Sequence, residues 1–363
     1  MPPAVDPALL TRSRDVILSL QLPNGAFPAS PTFSAYQGYC WFRDGAFIAD
    51  GLSADGSVDS PTAFFSWCAT VLDRYTPQIE EIIARAGAGD PVPGSQMLPA
   101  RYTFDGGLGA DDWTDFQLDG YGTWIWALDE HVRRHGVDPS PFAAAVAITV
   151  RYLLSSWQRS CYDWWEEHAE QVHVSTLGCI VAGLRSAVSL GVLDDVLASR
   201  AAQGADDVLA FILERGVHDG RLVKWIGNPD VDASLSALFA PLRVFDPASD
   251  LATETLAAIG RDLEVDGGVY RFRADTFFGG GRWPLLSCFK GLAHAARGER
   301  DEAQRLLAWA VAQATDTLDL PEQVSDRLLD PSMEEYWINR WGPVATPLLW
   351  SHAMVLRLNA ELS

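Results

Sequence analysis

The sequence is short of positive charge: 27 Lys and Arg stand against 48 Asp and Glu, a formal net charge of −21. Nucleic acid and anionic membrane surfaces are bound by clustered Lys and Arg that displace counterions, so both are excluded as expected partners. No segment approaches 18 uninterrupted apolar residues, so no membrane span is expected. Cysteine is scarce and scattered. Cys40, Cys68, Cys161, Cys179 and Cys288 are odd in number and free of C-x-x-C spacing, which argues against a disulfide framework or a zinc site. Buried free thiols point to a reducing compartment. The first twenty residues lack a basic region followed by an apolar run and a small-residue cleavage site, so the expected location is the cytoplasm. The histidines show no His-x-x-x-His spacing for a metal, and no G-x-S-x-G, P-loop or dinucleotide fingerprint is present.

What the chain has in surplus is tryptophan, 14 in 363 residues. It also has helical periodicity almost throughout. Asp6-Pro7 and Ser60-Pro61 are helix starts, with a capping side chain followed by proline in the first turn. Read onward, the pattern predicts about twelve helices, at roughly 6–20, 44–54, 61–86, 119–135, 139–157, 173–190, 193–216, 232–240, 246–263, 283–297, 300–317 and 344–361. Only two pieces read as strands, near 217 and 265, each with a glycine turn. Tight connections alternate with long ones, and structureless loops beyond about 12–15 residues are uncommon in compact domains unless they carry function. Six long loops on alternate connections of an up-and-down array would all emerge at one end. The expected fold is therefore all-α, a closed (α/α)6 barrel of six helical hairpins, with residues 1–363 as a single catalytic domain and no linker interrupting it.

Those loops concentrate Trp, Arg and carboxylates. In chain order they carry Tyr36 to Asp44, Trp113 to Gly120, Asp163 to Glu167, Lys224-Trp225, Arg271 to Asp275 and Pro321 to Val324. Charges interleaved with Trp are costly to bury without partners. A polar pocket walled by flat aromatic faces accounts for both, and saccharides offer the matching mixture of hydroxyls and C–H faces. Two carboxylates flanking a glycosidic oxygen suffice for its hydrolysis, one as acid and one as base or nucleophile. Glu166 and Glu167 are neighbours whose side chains point differently on a regular backbone, so one can face the pocket while the other supports it. An acid crowded by Trp164, Trp165 and a second carboxylate would hold its proton to higher pH. An adjacent Glu pair is equally what a helix N-terminus attracts, Arg43-Asp44 equally a helix-start ion pair, and Glu322 a plain solvated acid.

The blocks Trp41-Phe42-Arg43-Asp44-Gly45-Ala46, Trp113-x-x-x-Gln117-x-Asp119-Gly120, Asp163-x-Trp165-Glu166-Glu167, Arg271-x-x-x-Asp275-Thr276, Pro321-Glu322-Gln323 and Pro347 to Ala353 together resemble the glucoamylases, glycoside hydrolase family 15. They follow the family order and span about residues 36–353. The resemblance implies an (α/α)6 barrel, exo-hydrolysis of α-glucosides with inversion to β-glucose, and neither metal nor organic cofactor. It makes Glu166 the general acid and Glu322 the general base, whose carboxyls an inverting enzyme keeps roughly 6.5–9.5 Å apart. Arg43 and Asp44 would grip the non-reducing glucose, Arg271 and Glu167 would bind near the scissile bond, and Trp113 and Trp165 would form walls, with Asp119 among the substrate-binding residues. Tyr36 or Tyr39 corresponds to the tyrosine that contacts the nucleophilic water, and Glu334 and Glu335 rival Glu322 as base. Phe278 stands where many members carry tyrosine. No β-sandwich or starch-binding module is expected beside the barrel. Both features are similar to the branch that hydrolyses isomaltose, so a short oligosaccharide is the expected partner, with maltose-type substrates and α,α-trehalose as alternatives.

Overall fold

A computed structural model describes residues 5–110 and 116–363. The chain begins with α1 (Pro7–Leu20), capped by the Asp6 side chain on the Ala8 amide, with proline in the first turn. Its buried residues Leu9, Ser13, Val16 and Ile17 fall on one stripe, as expected of a helix with one face in a core. The next helix, α2 (Phe42–Ala54), is different in kind. Apart from Asp44 and Ala54, all its residues are buried, so it has core on every side.

That contrast repeats along the chain. One-sided helices are α3 (Asp59–Arg74), α6 (Ala143–Ser156), α8 (Asp195–Arg215), α9 (Asp250–Leu263) and α11 (Arg300–Val311). Enclosed elements are α5 (Asp119–His135), α7 (Val174–Ser189), the 3-10 helix Ala233–Leu238, α10 (Pro284–Ala296) and α13 (Leu349–Leu362). The enclosed elements touch in a closed ring: α2 packs on α5, α5 on α7, α7 on the 3-10 helix, that helix on α10, α10 on α13, and α13 on α2. Each is flanked by an outer helix, which is the six-hairpin barrel the alternation predicts. Close approach in the ring needs glycine. A Cβ on Gly183 of α7 would lie 2.6 Å from the Cα of Gly122 on α5, and a Cβ on Gly122 would lie 2.2 Å from the Cys179 carbonyl oxygen.

Two expected helices come out differently, and one helix is unexpected. The stretch 61–86 is two helices, α3 and α4 (Thr76–Gly87), because Pro77 has no N–H to continue the ladder and its ring crowds the preceding turn. The stretch 232–240 is only one tight 3-10 segment, started by Asp232 on the Ser234 amide and stopped short of Pro241. The last long connection holds an unexpected helix, α12 (Glu334–Trp341), none of whose residues is buried. The short strands appear where expected. β3 (Val217–His218) pairs with β4 (Arg221–Leu222) across Asp219-Gly220, and β5 (Glu264–Val265) with β6 (Gly268–Tyr270) across Asp266-Gly267; both Asp-Gly pairs have the positive φ of a type I′ turn. Further short pieces, β1 (Tyr39–Trp41) with β2 (Arg101–Thr103), and β7 (Arg282–Trp283) against β6, brace the loops leading into α2 and α10. Among the described residues no helix is long and apolar enough to cross a membrane.

Candidate active site

Every long loop runs from an outer helix to the start of an inner one, so the loops converge at one end of the ring. Between them lies a cavity whose lining includes Tyr36, Arg43, Asp44, Glu166, Arg271 and Glu322. Seven of the 14 tryptophans also line it: Trp41, Trp164, Trp165, Trp283, Trp337, Trp341 and Trp350. Of the loop tryptophans, Trp225 lies behind the wall against His168 and His173, and Trp157 packs on Phe211. Trp67, Trp124 and Trp126 are core residues. Trp113 lies outside the described residues.

The innermost end is set by α2, α5 and α13. Trp350 stacks on Phe47 with 5.4 Å between centroids and 9° between planes, and Trp164 joins the same aromatic group. Arg43, 4% exposed, sits over Trp350 and directs Nη1 to Gln117 Oε1 (2.7 Å) and Asp119 Oδ2 (3.1 Å), with Asp44 Oδ2 3.4 Å from its Nη2. Burial alone would lower the Arg43 pKa, but Asp119, Asp44 and Glu166 raise it, so the guanidinium stays charged. Burial also pushes Asp44 up to about 6 against the pull of Arg43, with Glu166 and Asp119 adding repulsion. Asp119 itself is fully buried and absent from the cavity wall; its carboxylate is committed to Arg43 and to the Gly120 amide (2.5 Å). The structure thus brings Arg43 and Asp44 to the cavity and sets Asp119 behind them.

Glu166 projects from a closed turn. Asp163 and Glu167 exchange backbone contact through Asp163 N–H to Glu167 O (3.0 Å), and Glu166 N–H donates to Asp163 O (3.0 Å). Asp163 Oδ1 accepts from the amides of Trp165 and Glu167, each at 2.9 Å. Within this turn Glu166 has φ +62°, a left-handed conformation costing on the order of 1–3 kcal/mol for a residue with a Cβ. Side chains outside the turn hold it there. Lys224 Nζ bridges Asp163 Oδ2 (2.7 Å) and Asp232 Oδ2 (2.6 Å), and Trp165 Nε1 also donates to Asp232 Oδ2 (2.9 Å). Burial tends to raise Asp163, but Lys224 and His173 hold it below the usual carboxylate range. The Trp41 indole N–H donates to Glu166 Oε1. Glu167 turns instead to Arg271 Nη2 (3.1 Å), and Arg271 is clamped by Asp275, with Nε to Oδ2 at 2.7 Å. Both adjacent carboxylates reach the cavity wall, Glu166 held by Trp41 and Glu167 by the Arg271 clamp, and neither belongs to a helix N-terminus.

Glu322 arrives from the loop before α13 and is 2% exposed. Tyr36 donates its hydroxyl proton to Oε1 (2.6 Å), while Oε2 makes no hydrogen bond among the described residues. Burial pushes the Glu322 pKa up to about 8; the Tyr36 hydrogen bond and Arg271 oppose the rise. Burial, with Glu322 beside it, raises the Tyr36 phenol well above its ordinary value. The loop is pinned from beneath: Leu320 N–H donates to His352 Nε2 (3.0 Å), and Ser351 donates to the Pro321 carbonyl (2.8 Å). Tyr39 packs instead under the Arg101 guanidinium, 3.8 Å from its ring centroid. Glu334 and Glu335 lie in the first turn of α12, off the cavity wall.

Sequence reasoning missed the Lys224 bridge to Asp232, the Phe277 wall and the α12 rim. Lys224 stood in a loop already singled out, and it is one of only two lysines in the chain. That scarcity was the available signal.

Comparison with known proteins places this geometry. The family model described as "Glycosyl hydrolases family 15" matches residues 7–318. Isomaltose glucohydrolase of Kribbella flavida is 47% identical over 355 residues, covering 98% of this chain and 92% of that protein. A solved wild-type glycosidase superposes with a TM-score of 0.95 at 47% identity, covering 98% of this chain and 96% of its own, and a glycosidase variant in complex with glucose superposes equally well at 46%. The glucoamylase of Saccharomycopsis fibuligera, 15% identical, shares the fold at a TM-score of 0.73 over 99% of this chain and 96% of its own. This chain belongs to family 15 of the glycosyl hydrolases.

Proposed function

We propose that this protein is an inverting, exo-acting α-glucosidase of short oligosaccharides, with α-1,6-linked isomaltose as its preferred substrate. The observation that carries the reading is the pairing in one cavity of two glutamates from separate loops, each held by a hydrogen-bond donor of its own, Trp41 on Glu166 and Tyr36 on Glu322. The non-reducing glucose enters first and meets Arg43 and Asp44 over the Trp350 floor. Glu166 gives its proton to the glycosidic oxygen as the bond to C1 breaks. Glu322 takes a proton from the water that attacks C1 from the opposite face, so β-glucose leaves and the acceptor sugar recovers its hydroxyl. Arg271 and Glu167 hold the substrate next to the scissile bond. In this reading residues 1–363 form one catalytic domain.

The isomaltose preference rests on the 47% identical relative that carries that name. A cytoplasmic location fits five thiols that are all free and buried. The test is glucose release from isomaltose, maltose and α,α-trehalose, with the anomer followed by NMR. The expected result is fastest release from isomaltose, with β-glucose appearing first. Fastest release from trehalose would make the protein a trehalase, and α-glucose appearing first would refute inversion.

A further inference from the structure

The cavity is buried at one end and open at the other, and the open end is built by α12. This helix packs mainly on the segment Phe277–Gly279 and on the turn Pro331–Met333, and it holds its place through Trp337 Nε1 donating to the Thr276 carbonyl (2.8 Å) and Ser34 donating to the Trp341 carbonyl (3.0 Å). Its cavity-facing residues are Trp337, Arg340 and Trp341. The Arg340 guanidinium lies over both rings, 5.6 Å from the Trp337 centroid and 5.1 Å from that of Trp341. It donates to Tyr336 Oη (3.1 Å) and, among the described residues, has no carboxylate partner. The two arginines deeper in the cavity are otherwise placed: Arg43 is paired with Asp119, and Arg271 with Asp275 and Glu167. Arg340 is thus an exposed planar donor, pre-oriented by two aromatic faces and with N–H groups to spare.

An exo-acting site receives the non-reducing glucose at its buried end, so the sugar on the leaving side of the scissile bond lies toward the mouth. Resting on the proposed glucosidase reading, we infer that Arg340, held between Trp337 and Trp341, is a specificity-determining residue that binds the acceptor glucose: its N–H groups bond the acceptor hydroxyls while the indoles meet the C–H face. Among the described residues this rim comes from a single short helix, whose contacts suit the sugar next to the scissile bond and so favour disaccharides.

Two substrates separate acceptor binding from everything else. Isomaltose has an acceptor sugar, and α-glucosyl fluoride has none, while both place the same glucose at the buried end. The measured quantity is kcat/KM for isomaltose divided by kcat/KM for α-glucosyl fluoride. Arg340→Ala and Trp341→Ala should each lower that ratio at least about tenfold, chiefly through KM for isomaltose, and Arg340→Lys should recover part of it. A ratio unchanged in both alanine variants, whether both substrates keep their rates or lose them equally, overturns the inference. Failure of the glucosidase reading would look different, because the unmodified protein would then hydrolyse neither substrate.

Discussion

The two cavity glutamates are held in opposite ways. Glu166 is positioned by its backbone: a turn closed on itself, a φ of +62°, and an Asp163–Lys224–Asp232 bridge that braces the turn from behind. Glu322 is positioned by burial and one phenol, and the loop beneath it is fixed by the neutral imidazole of His352. The first arrangement fixes direction, as the proposed proton delivery to one oxygen requires. The second raises proton affinity, which makes the ionised carboxylate a stronger base toward water. One glutamate is tuned by geometry and the other by its surroundings.

Removing each carboxylate in turn should have the largest effect. Glu166→Gln and Glu322→Gln should each lower kcat/KM for isomaltose by about 10²–10⁴-fold. They should part company on α-glucosyl fluoride, whose leaving group departs without a proton. Glu166→Gln then recovers most of its loss, whereas Glu322→Gln does not, since water must still be activated. Rescue of the Glu322 variant alone would reverse the two roles.

A smaller effect concerns pH. Burial pushes Glu322 up to about 8, and the Tyr36 hydroxyl, by donating to the carboxylate, opposes that rise. A general base works when ionised, so kcat/KM should fall as pH drops through the Glu322 value, well above the range of an ordinary carboxylate. Tyr36→Phe removes the bond that stabilises the anion. The acidic limb should therefore move to higher pH, by on the order of one unit. A limb that stays put or moves down would mean that Tyr36 does not tune Glu322.

The parts legible in the sequence were those encoded by local pattern. Helix order, the two Asp-Gly hairpins and the loop clustering follow from periodicity and from turn chemistry, which depend on neighbours along the chain. The split at Pro77 was legible in principle, because proline acts within one turn of itself. The short 3-10 element at 233–238 and the α12 rim were not, since both depend on what packs against them. Of the site, the residue types were readable but their partnerships were not. Glu166 and Glu167 look alike in sequence, and only the fold pairs one with Trp41 and the other with Arg271, 104 residues away. The family resemblance puts Asp119 among the substrate-binding residues; folding places it behind Arg43, fully buried.

His352 gives the finest test of the comparison. Because Leu320 N–H donates to Nε2, that nitrogen carries no proton, and Nδ1–H is left to donate to Ser13 Oγ (2.9 Å) on α1. Burial lowers the His352 pKa to about 3, so this chain from outer helix to base loop is unchanged across the working pH range. His352→Phe keeps a ring in the space but leaves the Leu320 amide and the Ser13 hydroxyl without their partner, at a cost to stability of about 1–3 kcal/mol, readable from the midpoint of denaturant unfolding. The loop it anchors carries Glu322, and the proposed base would act on every substrate whether or not the leaving group needs a proton. Hydrolysis of isomaltose and of α-glucosyl fluoride should therefore fall together, by less than about tenfold, with no shift between them. A loss confined to isomaltose would tie His352 to the acid turn instead, and would remove the separation of the two supports on which the contrast between Glu166 and Glu322 depends.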